Sequence, residues 1–196
     1  MAVHLHQFDL PDDVSFADQV AVDTETTGLD LNRDRLCVVQ LSAGDGDAHL
    51  VHFPRPEYKA PNLCRLLANE NVTKLFHFAR FDVAMLGQAM NVICRPVYCT
   101  KIASKLVRTY TDRHGLKDLC SELIGVDLSK KQQSSDWAAE TLSEAQQAYA
   151  ANDVLHLHKL REKLDAMLQR EGRDGVAEAC FDFLEVRAAL DLAGWD

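Results

Sequence analysis

Asp23-Thr24-Glu25 places two carboxylates one residue apart, directly after the apolar run Val20-Ala21-Val22. In a strand, residues i and i+2 project from the same face, so both acids leave the sheet on one side. There they could share a cation, and without a neutralising cation the pair is unfavourable. Taken alone, the tripeptide could equally be a solvated strand end. Asp82 falls early in a predicted helix, after His77-Phe78-Ala79-Arg80-Phe81; by itself it reads as a first-turn acid complementing the helix dipole. Tyr149 and Asp153 are spaced i,i+4 and share one helix face with Gln146 and His156. A carboxylate directed inward from the alanine-rich segment around Asp153 needs a partner. A cation shared with Asp23, Glu25 and Asp82 would supply it. Oxygen donors without Cys or His suit Mg²⁺ or Mn²⁺ better than zinc.

The elements that must position these groups follow from pattern. Strands are expected over 4–8, 19–25, 35–42, 48–53 and 74–77, with 19–25, 35–42 and 48–53 forming an antiparallel meander. Helices are expected over 62–69, 79–90, 100–108 and 115–124, the last closed by Gly125. Thr141-Leu142-Ser143-Glu144 reads as a capping box opening one long helix to about Gln169. Gly172-Arg173-Asp174-Gly175 breaks it before an amphipathic helix from Val176 to about Leu190. The order predicts an α/β fold, a mixed five-stranded sheet flanked by helices.

The 196 residues, 47% hydrophobic and 26% charged, suit one globular domain over 1–196. No apolar run approaches the ~18 residues of a membrane span, and the first residues lack a signal-peptide pattern. The six cysteines contain no C-x-x-C, which points to reduced thiols, no disulfide frame and a cytoplasmic setting. A net charge of −9 argues against a long-duplex binder and toward local recognition of short substrates.

The ordered set D-x-E at Asp23 and Glu25, Asp82, and Y-x-x-x-D at Tyr149 and Asp153 resembles the DEDD superfamily of 3′→5′ exonucleases, in the Tyr-bearing subgroup that includes ribonuclease D. Thr100-x-x-Ala103, Gly115-Leu116-x-x-Leu119, Leu128-Ser129-Lys130 and Ser134-Ser135-Asp136-Trp137 belong to the same resemblance. It runs over about 19–165, leaving C-terminal helices over about 166–196. The short C-terminal part, and His77-Phe78 where His-Asn is usual, look like the compact nano-RNase C branch, whose members degrade very short RNAs and form ring-shaped octamers.

The resemblance implies a ribonuclease H-like fold and a 3′-5′ exoribonuclease releasing nucleoside 5′-monophosphates. It implies two divalent metal ions, Mg²⁺ or Mn²⁺, held by Asp23, Glu25, Asp82 and Asp153, with Asp23 between them and Tyr149 orienting the attacking water. Thr26 and Leu29 would meet the terminal nucleotide, with His77, Phe78 and Phe81 lining its pocket. Lys130, Lys131, Gln132, Gln133, Ser134 and Ser135 would face phosphates, and Trp137 would anchor that loop. The implied partners are short single-stranded RNA and further copies of the chain in a homo-oligomer. The competing readings are a 3′-5′ exonuclease trimming DNA or structured RNA 3′ ends and an idle RNA-binding relative, the latter disfavoured because all four acids and Tyr149 are present.

Overall fold

The computed structural model describes residues 2–129, 132 and 134–195. Lys130, Lys131 and Gln133 lie outside the described residues. Six strands, β1 (Val3–Gln7), β2 (Gln19–Thr26), β3 (Leu36–Ser42), β4 (Ala48–His52), β5 (Thr73–Phe76) and β6 (Val97–Cys99), form one mixed sheet in the order β1-β4-β3-β2-β5-β6. Seven helices are described: α1 (Pro61–Ala68), α2 (Ala79–Met90), α3 (Thr100–Val107), α4 (Leu116–Ile124), α5 (Glu144–Leu155), α6 (Leu157–Glu171) and α7 (Asp174–Leu192). The chain is therefore α/β, with six strands where five were expected. The pattern could not anticipate the sixth, because three-residue β6 is too short to display a period.

β2, β3 and β4 pair antiparallel, as the meander requires, whereas β5 joins β2 in parallel and β6 joins β5 in parallel. β1 pairs in parallel with β4 at the far edge. Every residue of β3 is buried, as expected for an inner strand covered on both faces. One face packs into the main core with helices that include α2, α3, α6 and α7. The other carries a smaller core of Cys37, Val38, Leu50, Trp137, Leu142 and Ala150 beneath α5.

Opposite the end of β2 the ladder slips. Glu25 pairs with Val38 but Thr26 with Leu36, leaving Cys37 as an extra residue on β3. Such a bulge bends a strand and redirects its side chains, here beside the acids. All six cysteines are free thiols.

Two helix expectations are corrected. The capping box before α5 is Ser143 with Gln146, each side chain bonding the other's backbone, not Thr141 with Glu144. The expected single helix is two, divided at His156, which ends α5 and begins α6. The division has a packing reason: α5 lies across β1 to β4, while α6 turns Leu157, Leu160, Leu164 and Leu168 into the core against α3 and α4.

Candidate active site

Asp23 and Glu25 reach the same side of the sheet from β2. α5, seated across β2 and β3, presents Asp153 to them. One carboxylate oxygen from each of Asp23, Glu25 and Asp153 lies within 4.8 Å of the others. Asp82, in the first turn of α2, stands outside this tightest group but within electrostatic reach of Asp23 and Glu25. Its Oδ1 accepts a 2.6 Å hydrogen bond from Thr24 Oγ1, so the residue between the paired acids holds the third. Gln40, opposite Asp23 in the ladder and fully buried, donates weakly to Asp23 Oδ2 at 3.5 Å.

Burial and crowding resist ionisation of all four acids. Asp23 is raised well above the ordinary carboxylate range by burial, then by the charges of Asp82, Asp153 and Glu25. Glu25 is pushed up to about 9 by burial, then by Asp153 and Asp82. Asp82 and Asp153 rise to about 7 through burial, opposed by hydrogen bonds from Thr24 and Tyr149 respectively. Acids this close are reconciled by cations, and an all-oxygen donor set fits a hard divalent ion. Tyr149, hydrogen-bonded to Asp153, is itself raised by burial and then by the Asp153 charge, so its phenol stays protonated at neutral pH.

These groups line a cavity of about 1020 Å³, at the upper end of small-ligand pockets. Thr26, Leu29, His77, Phe78, Phe81, Ser134 and Ser135 line it too. Leu29 is 82% exposed and Phe78 47% exposed. Phe78 begins α2 with φ 72°, a left-handed conformation unusual for a bulky residue. Lys101 Nζ lies 3.9 Å from its ring centre. Thr100 Oγ1 donates its proton to Phe76 O (3.1 Å), so His77 Nδ1, 2.9 Å away, must donate to that hydroxyl. His77, lowered to about 3 by burial and then by Lys101, is neutral and keeps Nε2 as an acceptor.

Trp137 is buried, its ring 6.1 Å from that of Tyr149. Gln146 Nε2 donates to Asp136 O at 3.0 Å, fixing the Ser134–Trp137 turn to the start of α5. Gly28 closes the turn after β2 against Asp34, where a Cβ would strike the Asp34 carboxylate. Sequence reasoning missed the wall built by Asp191, Gly194 and Trp195. The Gly194 after an amphipathic run signals a helix end, but not where that end lands.

The sequence model for 3′-5′ exonuclease matches residues 9–169. A ribonuclease D of Acidiphilium cryptum is 39% identical over 160 residues, covering 81% of this chain and 40% of that protein. The chain thus spans about two fifths of the curated relative's length. Among solved structures, Brucella melitensis NrnC bound to pGG has a TM-score of 0.95 at 57% identity, covering 100% of this chain and 95% of that one. The same protein with bound Mg²⁺ has a TM-score of 0.94 at 56% identity, covering 100% and 96%. No helix among the described residues is long and apolar enough to cross a membrane.

Proposed function

The chain belongs to the 3′-5′ exonuclease family, and on that premise we propose that it is a 3′-5′ exoribonuclease hydrolysing short oligoribonucleotides to nucleoside 5′-monophosphates. The observation that carries this is the group of Asp23, Glu25 and Asp153 oxygens within 4.8 Å, in a cavity with exposed apolar walls. The binding of pGG and of Mg²⁺ by the NrnC relative supports both the substrate class and the ion.

Asp23, Glu25, Asp82 and Asp153 would hold two divalent cations, Mg²⁺ or Mn²⁺. Such ions, when bound, generate a nucleophile from water and stabilise the leaving 3′ oxygen. The remaining work falls to this chain's own groups. Tyr149 keeps its proton and orients the attacking water by hydrogen bonding, its ring braced by Trp137. Leu29 wedges against the terminal bases, and Thr26, Phe78 and Phe81 complete the pocket for the 3′ nucleotide. His77 Nε2 can accept a bond from a sugar hydroxyl, a route by which RNA is told from DNA. Ser134 and Ser135 face the phosphates.

Self-association into a homo-oligomeric, octameric ring forms part of the proposal, supported by half-exposed Val176, Phe183 and Val186 on α7, together with a cytoplasmic location. A sedimentation run containing only a ~22 kDa species would reject the oligomer. The function is tested by turnover of 5′-labelled RNA dimers, 7-mers and 20-mers beside matched DNA, with Mg²⁺ or EDTA. The expected result is fastest loss of the RNA dimers, abolished by EDTA. Failure to shorten any RNA with Mg²⁺ would overturn it.

A further inference from the structure

One wall of the cavity comes from none of the acid-bearing segments. It is the end of α7, where Gly194 (φ 77°) and Trp195 complete a Schellman motif. Gly194 N–H donates to Asp191 O (3.1 Å) and Trp195 N–H to Leu190 O (2.9 Å), while Arg187 donates to Trp195 O. Arg80, two residues before Asp82, grips the Asp191 carboxylate through Nε (2.5 Å) and Nη2 (2.6 Å). The Trp195 backbone is therefore fixed relative to the helix turn that carries Asp82. Its indole nonetheless remains 68% exposed while lining the same cavity as the four acids.

We propose that Trp195 is a substrate-binding residue that stacks on a nucleobase of the bound oligonucleotide. The inference rests on the reading of this cavity as an oligonucleotide site. A chain of net charge −9 gains little from general attraction to a polyanion. Beyond the proposed cations, affinity for a short substrate then comes from contacts that need no charge, and an indole face suits any base. Leu29 and Phe78 are the other exposed apolar groups of the cavity, so a base entering it meets hydrophobic surface from three separate segments.

The test compares wild type with Trp195→Ala and Trp195→Phe on an RNA dinucleotide. Loss of one stacked base should raise KM roughly 5- to 150-fold in Trp195→Ala, with kcat changed far less and Trp195→Phe restoring most of the binding. Indole emission gives a second readout. Trp137 is 2% exposed, so quenching on dinucleotide addition, with Ca²⁺ replacing Mg²⁺, should disappear in Trp195→Phe. An active wild type whose KM is unchanged in Trp195→Ala overturns the inference while leaving the proposed function standing. So does a KM rise that is equally large for a dinucleotide lacking its bases, or altered sedimentation with unaltered KM, which would make the indole a subunit contact. If wild type cleaves no RNA, the functional proposal fails, and the quenching measurement alone still decides the role of Trp195.

Discussion

Replacing Glu25 by Gln should make the cation-free protein more stable while destroying its activity. Glu25 ionises at about 9 in the folded chain, against an ordinary 4.5. Between those values the folded state retains a proton that the unfolded chain has released. Stability therefore falls as pH rises through that window, and little penalty remains near pH 5. At 1.36 kcal/mol per pH unit, the ceiling at pH 8 is about 5 kcal/mol. The half-buried side chain keeps some solvent contact, and screening brings the expected gain for Glu25→Gln to about 1–2 kcal/mol. For a chain of this size that is a rise in Tm of roughly 2–8 °C.

Thermal unfolding in EDTA at pH 8 and pH 5 is the assay. The variant should unfold higher than wild type at pH 8 and within error of it at pH 5. Mg²⁺ should stabilise wild type, by about 2.7 kcal/mol at a hundred times Kd, and Glu25→Gln much less. A variant no more stable than wild type at pH 8, or equally stabilised at both pH values, would refute the account of crowded acids relieved by cations.

Other substitutions separate the remaining roles. Tyr149→Phe should lower kcat about 10²-fold or more with KM little changed, measured on a labelled RNA dimer; a larger effect on KM would move Tyr149 from water positioning to substrate binding. Leu29→Ala should raise KM by roughly ten-fold or more, since a leucine buried only in the complex contributes about 2 kcal/mol. Its Tm should not move, because Leu29 is 82% exposed in the free protein. Arg108→Leu should lower Tm by roughly 6–20 °C in a melting experiment, with turnover at 25 °C retained. The Arg108 side chain is fully buried and bonds Ser104, Arg113 O and Glu122, and removing one partner of a buried network costs about 3–5 kcal/mol.

The acids were legible because strand and helix periods are local. Asp23 and Glu25 on one face of β2, and Tyr149 and Asp153 one turn apart, need only two and four residues of regular backbone. What escaped depends on distant partners. Glu144 lies three residues beyond Thr141 as Gln146 does beyond Ser143, and only the docking of α5 on the sheet selects the second pair as the cap. The break at His156 leaves no Pro or Gly in the sequence; it reflects two packing surfaces. The parallel β1–β4 pairing is invisible in a strand whose burial does not alternate cleanly. Trp195 reaches the cavity through the Arg80–Asp191 pair, 111 positions apart in sequence, which no window of neighbouring residues contains.

The division at His156 also shapes how the protein can breathe. α5 carries Asp153 yet is tied down locally, by the Ser143–Gln146 cap at one end and the small core with Trp137 along its face. α6 is sewn into the main core by four leucines. Amide exchange should therefore report two cooperative units, with α5 opening at lower free energy than α6. Cation removal, which would leave Asp153 crowded by acids that resist ionisation, should then loosen one short helix without unravelling the frame behind it.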